Sequence, residues 1–344
     1  MRVGIYYSNK DVRVEEMPIP QVGPDELLVK VLHSGICGSD VMEWYRIQKA
    51  PRVLGHEIAG IIEQVGDDVK RFKKGDRVFV SHHVPCNTCH RCLKGAYTDC
   101  ETLHTTNFDP GGFAEYVRVP SLQVDSGTFI IPDNMPLELG VFIEPLACVV
   151  RGQRLAGIRP GDSILVLGSG ISGLLHIALA KSLGAGRIIA SDVNEYRMNA
   201  AKKYGADYVF HADDDIPKKI KDVNDGRFVD IAIICTSAIS AHEQAIKSID
   251  WGGTALLFGV ASPGEIWQFP VFNFWSNGSK MISSYGGAPI DIEQAIELIR
   301  FKRIDVQSMI THRFPLDDIQ KGFDLVVKSN ESIKVVIEPH RSFT

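Results

Sequence analysis

Seven cysteines occur in the 344 residues, and four of them, Cys86, Cys89, Cys92 and Cys100, crowd together with the spacing C-x2-C-x2-C-x7-C. Thiolates two residues apart in a turn can converge on one ion. Four of them close a tetrahedral zinc shell that has no open position, which is a structural arrangement. Such crowding favours metal over disulfides. Between Cys86 and Cys100 the only basic residues are Arg91 and Lys94, against Asp99. That is too little charge for a zinc module that grips phosphates. His82, His83 and His90 lie close by and read as solvated loop histidines, because four sulfurs already fill the shell.

Two further groups mix soft and hard ligands. One is Gly35–Asp40 (GICGSD), which holds Cys37 and Ser39; the other is Gly55-His56-Glu57. Glu144, in Ile143-Glu144-Pro145-Leu146, is a candidate third piece, with Cys148 as an alternative. Three protein ligands and a replaceable water describe a catalytic zinc. A lone His or Cys more often packs or lies at the surface. Here the combination with a cysteine-rich loop and a nucleotide motif carries the reading.

That motif is Gly168-Ser169-Gly170-Ile171-Ser172-Gly173, a G-x-G-x-x-G turn. It follows the apolar run Ser163–Leu167 and opens a segment in which Ile171, Leu174, Leu175, Ala178 and Leu179 share one helix face. The glycines let the backbone approach a pyrophosphate, and the helix N-terminus supplies N–H donors. Asp192 ends the next strand. A carboxylate there bonds a ribose 2′-hydroxyl and repels a 2′-phosphate, so NAD is expected over NADP. Its competing role is a helix N-cap. Arg197 is placed to contact the adenosine ribose. Phe258 to Val260 and Ser284 to Gly286 are the loops expected near the nicotinamide half.

The elements that must position these residues fall into two kinds. Residues 1–145 read as short β segments, such as Glu26–Leu32, Glu57–Val65 and Arg77–Val80, among frequent Gly and Pro. From Gly161, strands alternate with helices: Ser163–Leu167, Arg187–Ala190, Tyr208–Phe210, Phe228–Ile234 and Thr254–Phe258. Alternation of this sort implies a doubly wound parallel sheet. A helix over Ile292–Phe301 and a strand over Lys334–Ile337 follow.

Taken in order, these motifs resemble the zinc-containing medium-chain dehydrogenases, in the branch of sorbitol, polyol and threonine dehydrogenases. The resemblance spans nearly the whole chain. It rests on GICGSD at 35–40, GHE at 55–57, the four-cysteine lobe, GGFAEY at 111–116, EPLA at 144–147, the glycine turn, ITHRFPL at 310–316 and KGFDL at 321–325. It implies a two-domain α/β chain: a GroES-like catalytic domain over 1–147 with a zinc lobe at about 83–103, a Rossmann domain over 148–284, and a return to the catalytic domain over 285–344. It implies two zinc ions and NAD. Cys37 and His56 would ligate the catalytic zinc, Glu57 would ligate it or stand just behind it, and Glu144 takes the place where ethanol-type relatives carry a cysteine. Ser39 would bond the substrate hydroxyl and relay its proton. Many relatives carry a relay histidine three residues after that serine. Here the position is Met42, which cannot relay a proton; Glu43 is the nearest alternative.

The expected substrate is a secondary alcohol of polyol or sugar type. Arg46, Lys49 and Arg52 raise the alternative of a phosphorylated polyol, and an amino-alcohol of threonine type is a third reading. An inactive nucleotide-binding or structural protein is the reading from another class. Net charge is −5, with 37 basic against 42 acidic residues, which argues against a nucleic-acid partner. Ser163 to Ala180 has no charged residue, but Gly168, Gly170 and Gly173 break it, so no membrane span is expected. The N-terminal residues lack the apolar core of a signal peptide. A cytosolic homo-oligomer, dimer or tetramer, is the expectation.

Overall fold

The computed structural model describes residues 1–341. Its contacts divide the chain into two compact units, one of residues 1–147, 286–302 and 306 onward, the other of residues 148–285 and 303–305.

The first unit is mostly antiparallel β. Its strands are β1 (Arg2–Ser8), β2 (Asp11–Glu16), β3 (Leu27–Ile36), β4 (Arg52–Val53), β5 (Glu57–Val65), β6 (Arg77–Ser81), β7 (Tyr116–Val119) and β8 (Thr128–Ile130). The second unit contributes β9 (Ser163–Leu167), β10 (Arg187–Asp192), β11 (Tyr208–His211), β12 (Val229–Ile234), β13 (Ile249–Leu257) and β14 (Lys280–Ser283). Strands β15 (Ile310–Pro315) and β16 (Lys334–Glu338) return to the first unit. There the larger sheet runs β15-β16-β3-β5-β6-β8, with β7 added to the other half of β3, and a small sheet runs β2-β1-β4. The apolar alternation of these strands buries Val29, Val31, Ile58, Ile62, Val78, Val80 and Val117 together with Phe113 and Phe323.

This sheet fixes one register that matters. In the β3–β5 pair Gly35 lies opposite Glu57, and in the β16–β3 pair Val335 lies opposite Ile36. Residues from three distant stretches therefore meet where β3 ends and β5 begins. Gly35 is required there: a Cβ would run into Glu57 and come within 2.9 Å of the Lys334 side chain.

The second unit is a six-stranded sheet in the order β11-β10-β9-β12-β13-β14, parallel throughout. In strand sequence this is 3-2-1-4-5-6, the doubly wound arrangement, with its switch point between β9 and β12. The strands read as continuous apolar runs because helices cover both faces. Ser163 to Leu167 is buried at every position. No helix among the described residues is long and apolar enough to cross a membrane; the uncharged stretch after Ser163 is β9, the glycine turn and the start of the helix Ile171–Ser182.

Candidate active site and metal centres

Cys86, Cys89, Cys92 and Cys100 converge so that their sulfurs lie within 4.8 Å of one another. The separations are 3.5 Å for Cys89–Cys92, 3.6 Å for Cys86–Cys100 and 4.0 Å for Cys86–Cys92. Tetrahedral zinc with Zn–S bonds of about 2.3 Å sets sulfurs about 3.8 Å apart, so the donor set fits that ion. Amides point at the sulfurs as they would at thiolates: Cys89 N–H reaches Cys86 Sγ at 3.3 Å and Cys86 N–H reaches Cys100 Sγ at 3.4 Å. The backbone and hydroxyl of Thr88 pull the Cys86 thiol down to about 5, whereas burial pushes Cys92 up to about 12. The core under this lobe is small, comprising Cys92, Cys100 and Leu103 with Cys86, Cys89 and Tyr97 against them.

Cys37, His56 and Glu57 form the second group whose ligand atoms lie within 4.8 Å of one another. Cys37 leads into a tight 3-10 turn over Gly38–Val41, and its sulfur accepts the Ser39 N–H at 3.5 Å. Glu57 is fully buried; Lys334, also fully buried, donates to its Oε2. The other oxygen, Oε1, has no partner. A buried carboxylate oxygen left open costs free energy unless a cation or donor meets it. Beside a thiol and an imidazole, that orphan fits a zinc ion. Glu144 is half-buried in the first turn of the helix Ile143–Ala156 and is not one of the three.

Two residues at this site, Asp40 and Lys334, have no role in the sequence reading, and a third, Arg46, has a different one. Asp40 is fully buried, accepts the Cys37 N–H at 3.1 Å, and places Oδ1 3.4 Å from His56 Nδ1. A carboxylate behind a histidine fixes its tautomer and leaves the other ring nitrogen for a metal. Burial opposes charge on His56, but Asp40 and Cys37 outweigh it and hold the imidazole well above its ordinary pKa. Burial likewise opposes charge on Asp40, yet His56 and Arg46 keep its carboxyl below the usual range. Lys334 was unreadable because its partner lies 277 residues away. Arg46 was read only as basic charge near the pocket; it instead turns onto Ser39 and Asp40. Lys49 sits 4.9 Å over the Tyr45 ring.

Of the nearby histidines, His90 is exposed as expected, whereas His82 and His83 are not. His82 packs on His56 with ring centroids 4.8 Å apart, and His83 packs on His82 at 3.7 Å. Both are half-buried, and burial lowers His82 well below its ordinary pKa and takes His83 to about 3. The rings of His56, His82 and His83 thus pack in succession.

In the second unit the glycine turn links β9 to the helix Ile171–Ser182, for which Gly170 is the N-cap. Gly168 has φ +92°, and a Cβ on Gly173 would collide with the Gly168 carbonyl. Only glycine fits either position without strain. Asp192 is buried at the end of β10. Its Oδ2 accepts the Ser169 N–H at 2.7 Å and its Oδ1 the Asn194 N–H at 2.9 Å. The N-cap role falls to Asn194, which accepts from Arg197 N–H. The Arg197 guanidinium lies 3.9 Å from where a Gly170 Cβ would stand, and its Nε is buried without a partner. Ile171 opens the helix. Phe258 and Val260 follow β13; Phe258 stacks edge-on against buried His176 at 4.5 Å, and Val260 is exposed.

Both units match known proteins. Residues 23–127 match the alcohol dehydrogenase GroES-like domain, and residues 172–300 match the zinc-binding dehydrogenase domain. The sorbitol dehydrogenase of Bacillus subtilis is 31% identical, over 99% of this chain and 98% of its own. The L-threonine 3-dehydrogenase of Pyrococcus furiosus is 33% identical over 93% of each. Among solved structures, a zinc-binding dehydrogenase of Sinorhizobium meliloti bound to NADP superposes with a TM-score of 0.88 at 29% identity, covering 98% of this chain and 99% of that one.

Proposed function

Because the chain belongs to the zinc-dependent medium-chain alcohol dehydrogenases, in the sorbitol and threonine dehydrogenase branch, we propose that it oxidises a secondary alcohol of polyol or sugar type to a ketone with NAD. The observation that carries this reading is the convergent group of Cys37, His56 and Glu57, with its buried, unpartnered carboxylate oxygen, in a chain that also holds the glycine turn.

We assign Cys37, His56 and Glu57 to a catalytic zinc, with Glu144 as a further candidate, and the four cysteines to a structural one, two ions per chain. A zinc ion held there supplies Lewis acidity that lowers the pKa of a hydroxyl, and NAD supplies the hydride acceptor. The chain's own residues do the rest. Asp40 orients His56. Lys334 holds Glu57 in place by donating to its Oε2. Ser39 accepts the substrate proton. Gly168, Gly170, Ile171 and Gly173 line the pyrophosphate, Asp192 and Arg197 the adenosine ribose, and Phe258 and Val260 the nicotinamide half. We take 1–147 with 285–344 as the catalytic domain, the zinc lobe at 83–103 included, and 148–284 as the NAD domain.

Replacing His56 by Ala is expected to lower zinc from two ions per chain to one and to remove activity, with NAD affinity within about threefold of the parent. Elemental analysis, a polyol screen read by NADH appearance and a cofactor titration check this. A fully active variant sinks the assignment. Two zinc ions together with turnover separate this reading from that of an inactive nucleotide-binding protein.

We further propose a cytosolic homo-oligomer, dimer or tetramer. Support comes from β14, an edge strand of the second unit, and from the exposed Trp251, Phe272 and Trp275 of that unit.

A further inference from the structure

We infer that Arg46 is a positioning residue that fixes the direction in which Ser39 accepts a proton, an inference that rests on the role proposed for Ser39. Arg46 ends the short helical turn Glu43–Arg46. Its Nε donates to the Ser39 carbonyl at 2.9 Å, and its Nη2 donates to the Ser39 hydroxyl at 3.1 Å. The same Nη2 lies 3.5 Å from Asp40 Oδ1, and the guanidinium carbon lies 4.7 Å over the Tyr45 ring. Its side chain is only 13% exposed.

The turn that carries Arg46 is itself tied down. Asn9 donates from its side chain to the Val41 carbonyl at 2.8 Å and from its backbone to Glu43 at 3.0 Å, while Tyr6 donates to Asn9 at 2.9 Å. The guanidinium therefore has one place to sit, and its planar fork holds both atoms of Ser39 at once.

A guanidinium donates only and does not lose its proton. Ser39 has two lone pairs and one proton. Arg46 occupies one lone pair, so the serine proton cannot point toward Arg46. The remaining lone pair takes the proton of the substrate hydroxyl as the serine's own proton passes, on the side away from Arg46, to water or a cofactor ribose hydroxyl. As Ser39 passes its own proton on, negative charge develops on its oxygen, and the charge of Arg46 stands beside it. An interaction that strengthens as charge develops acts on kcat rather than on KM. Met42 and Arg46 together replace a titrating relay with a fixed cation that orients and does not carry protons. The same bonds commit Arg46 away from any substrate phosphate.

The test uses the zinc-loaded enzyme with NAD and sorbitol or 2,3-butanediol, comparing Arg46→Lys, Arg46→Met, Ser39→Ala and the double variant Ser39→Ala/Arg46→Met. Arg46→Lys keeps a cation beside Asp40 but cannot make both bonds to Ser39. Its kcat is expected to fall about tenfold and that of Arg46→Met about 10- to 100-fold, the scale of one charge-assisted hydrogen bond. KM is expected to stay within about twofold and zinc at the parental content. In the Ser39→Ala background, Arg46→Met is expected to add less than about a twofold loss, because the two act as one unit. Parental kcat in Arg46→Lys overturns the inference even if Arg46→Met does not fold. So does an equal loss with and without Ser39, or an effect confined to KM for a sugar phosphate. Full activity in Ser39→Ala instead overturns the underlying assignment of Ser39.

Discussion

Asp192 spends one oxygen on the Ser169 amide and the other on the Asn194 amide. The first bond ties the end of β10 to the glycine turn; the second ties it to the start of the helix Glu195–Tyr204. The carboxylate is thereby held still, with one lone pair left on each oxygen for a ribose hydroxyl. A 2′-phosphate brought to the same place would meet a fixed negative charge, and a like-charge contact of that sort costs several kcal/mol. The parent enzyme is expected to favour NAD over NADP by about 100-fold or more in kcat/KM. Asp192→Ala is expected to cut that ratio at least about tenfold, since each 1.4 kcal/mol is a decade. Because the Sinorhizobium relative was solved with NADP, side-by-side kinetics with the two cofactors are decisive, and a parental preference for NADP refutes the assignment. At this scale the sequence was readable where residues stand in short motifs: Cys37 of GICGSD and His56 and Glu57 of GHE converge, and the glycines form one turn. It was unreadable where a partner comes from far along the chain: Lys334 reaches Glu57 only because β16 pairs with β3, which pairs with β5. Arg46 was misread for a related reason, since spacing does not tell which way a long side chain turns.

Among the elements, the cysteine lobe is the one that cannot hold itself. Its core is three buried residues, and its helices are a single turn each, His90–Leu93 and Glu101–Thr105. So little apolar area offsets only a few residues' worth of ordering entropy, and a metal must supply the difference. Cys100→Ser is expected to leave one zinc per chain, to open residues 86–106 to limited proteolysis and to lower the melting temperature. Retention of two zinc ions and an intact lobe in that variant argues against the site. Elsewhere, strands buried on both faces announced themselves as apolar runs, and the helix Ile171–Ser182 by its periodic face. Two elements begin earlier than their sequence patterns predict. The expected Thr254 start of β13 is Ile249, because Gly252 and Gly253 interrupt the apolar pattern while a register irregularity against β12 keeps the strand paired. The expected Ile292 start of a helix is Pro289, where the preset φ of proline suits a first turn and the Asp291 side chain accepts the Ala288 N–H at 2.9 Å.

For the whole molecule, the doubly wound sheet leaves β14 paired on one side only, against β13. An edge of this kind offers unpaired backbone groups to another chain unless something blocks it. The short helix Val271–Ser276, which precedes β14, has no fully buried residue and packs Phe274 against the core: Phe272 and Trp275 are 73% and 74% exposed, and Trp251 on β13 is 80% exposed. Each aromatic carries roughly 150–250 Å² of surface, so these three alone expose about 300 Å² or more, the size of the largest patch on an ordinary monomer. Tryptophan and phenylalanine left in water at that density, beside an open sheet edge, suit an interface between copies of the same chain, where aromatic residues concentrate. Size-exclusion chromatography with light scattering is expected to give a multiple of the 38.0 kDa chain mass. Phe272→Lys combined with Trp275→Lys is expected to shift that mass toward one chain without changing the zinc content, because both side chains belong to the second unit and the metal groups to the first. A parental protein that runs at 38.0 kDa at micromolar concentration ends the oligomer proposal, and an unshifted oligomer in the double variant moves the interface elsewhere on the surface.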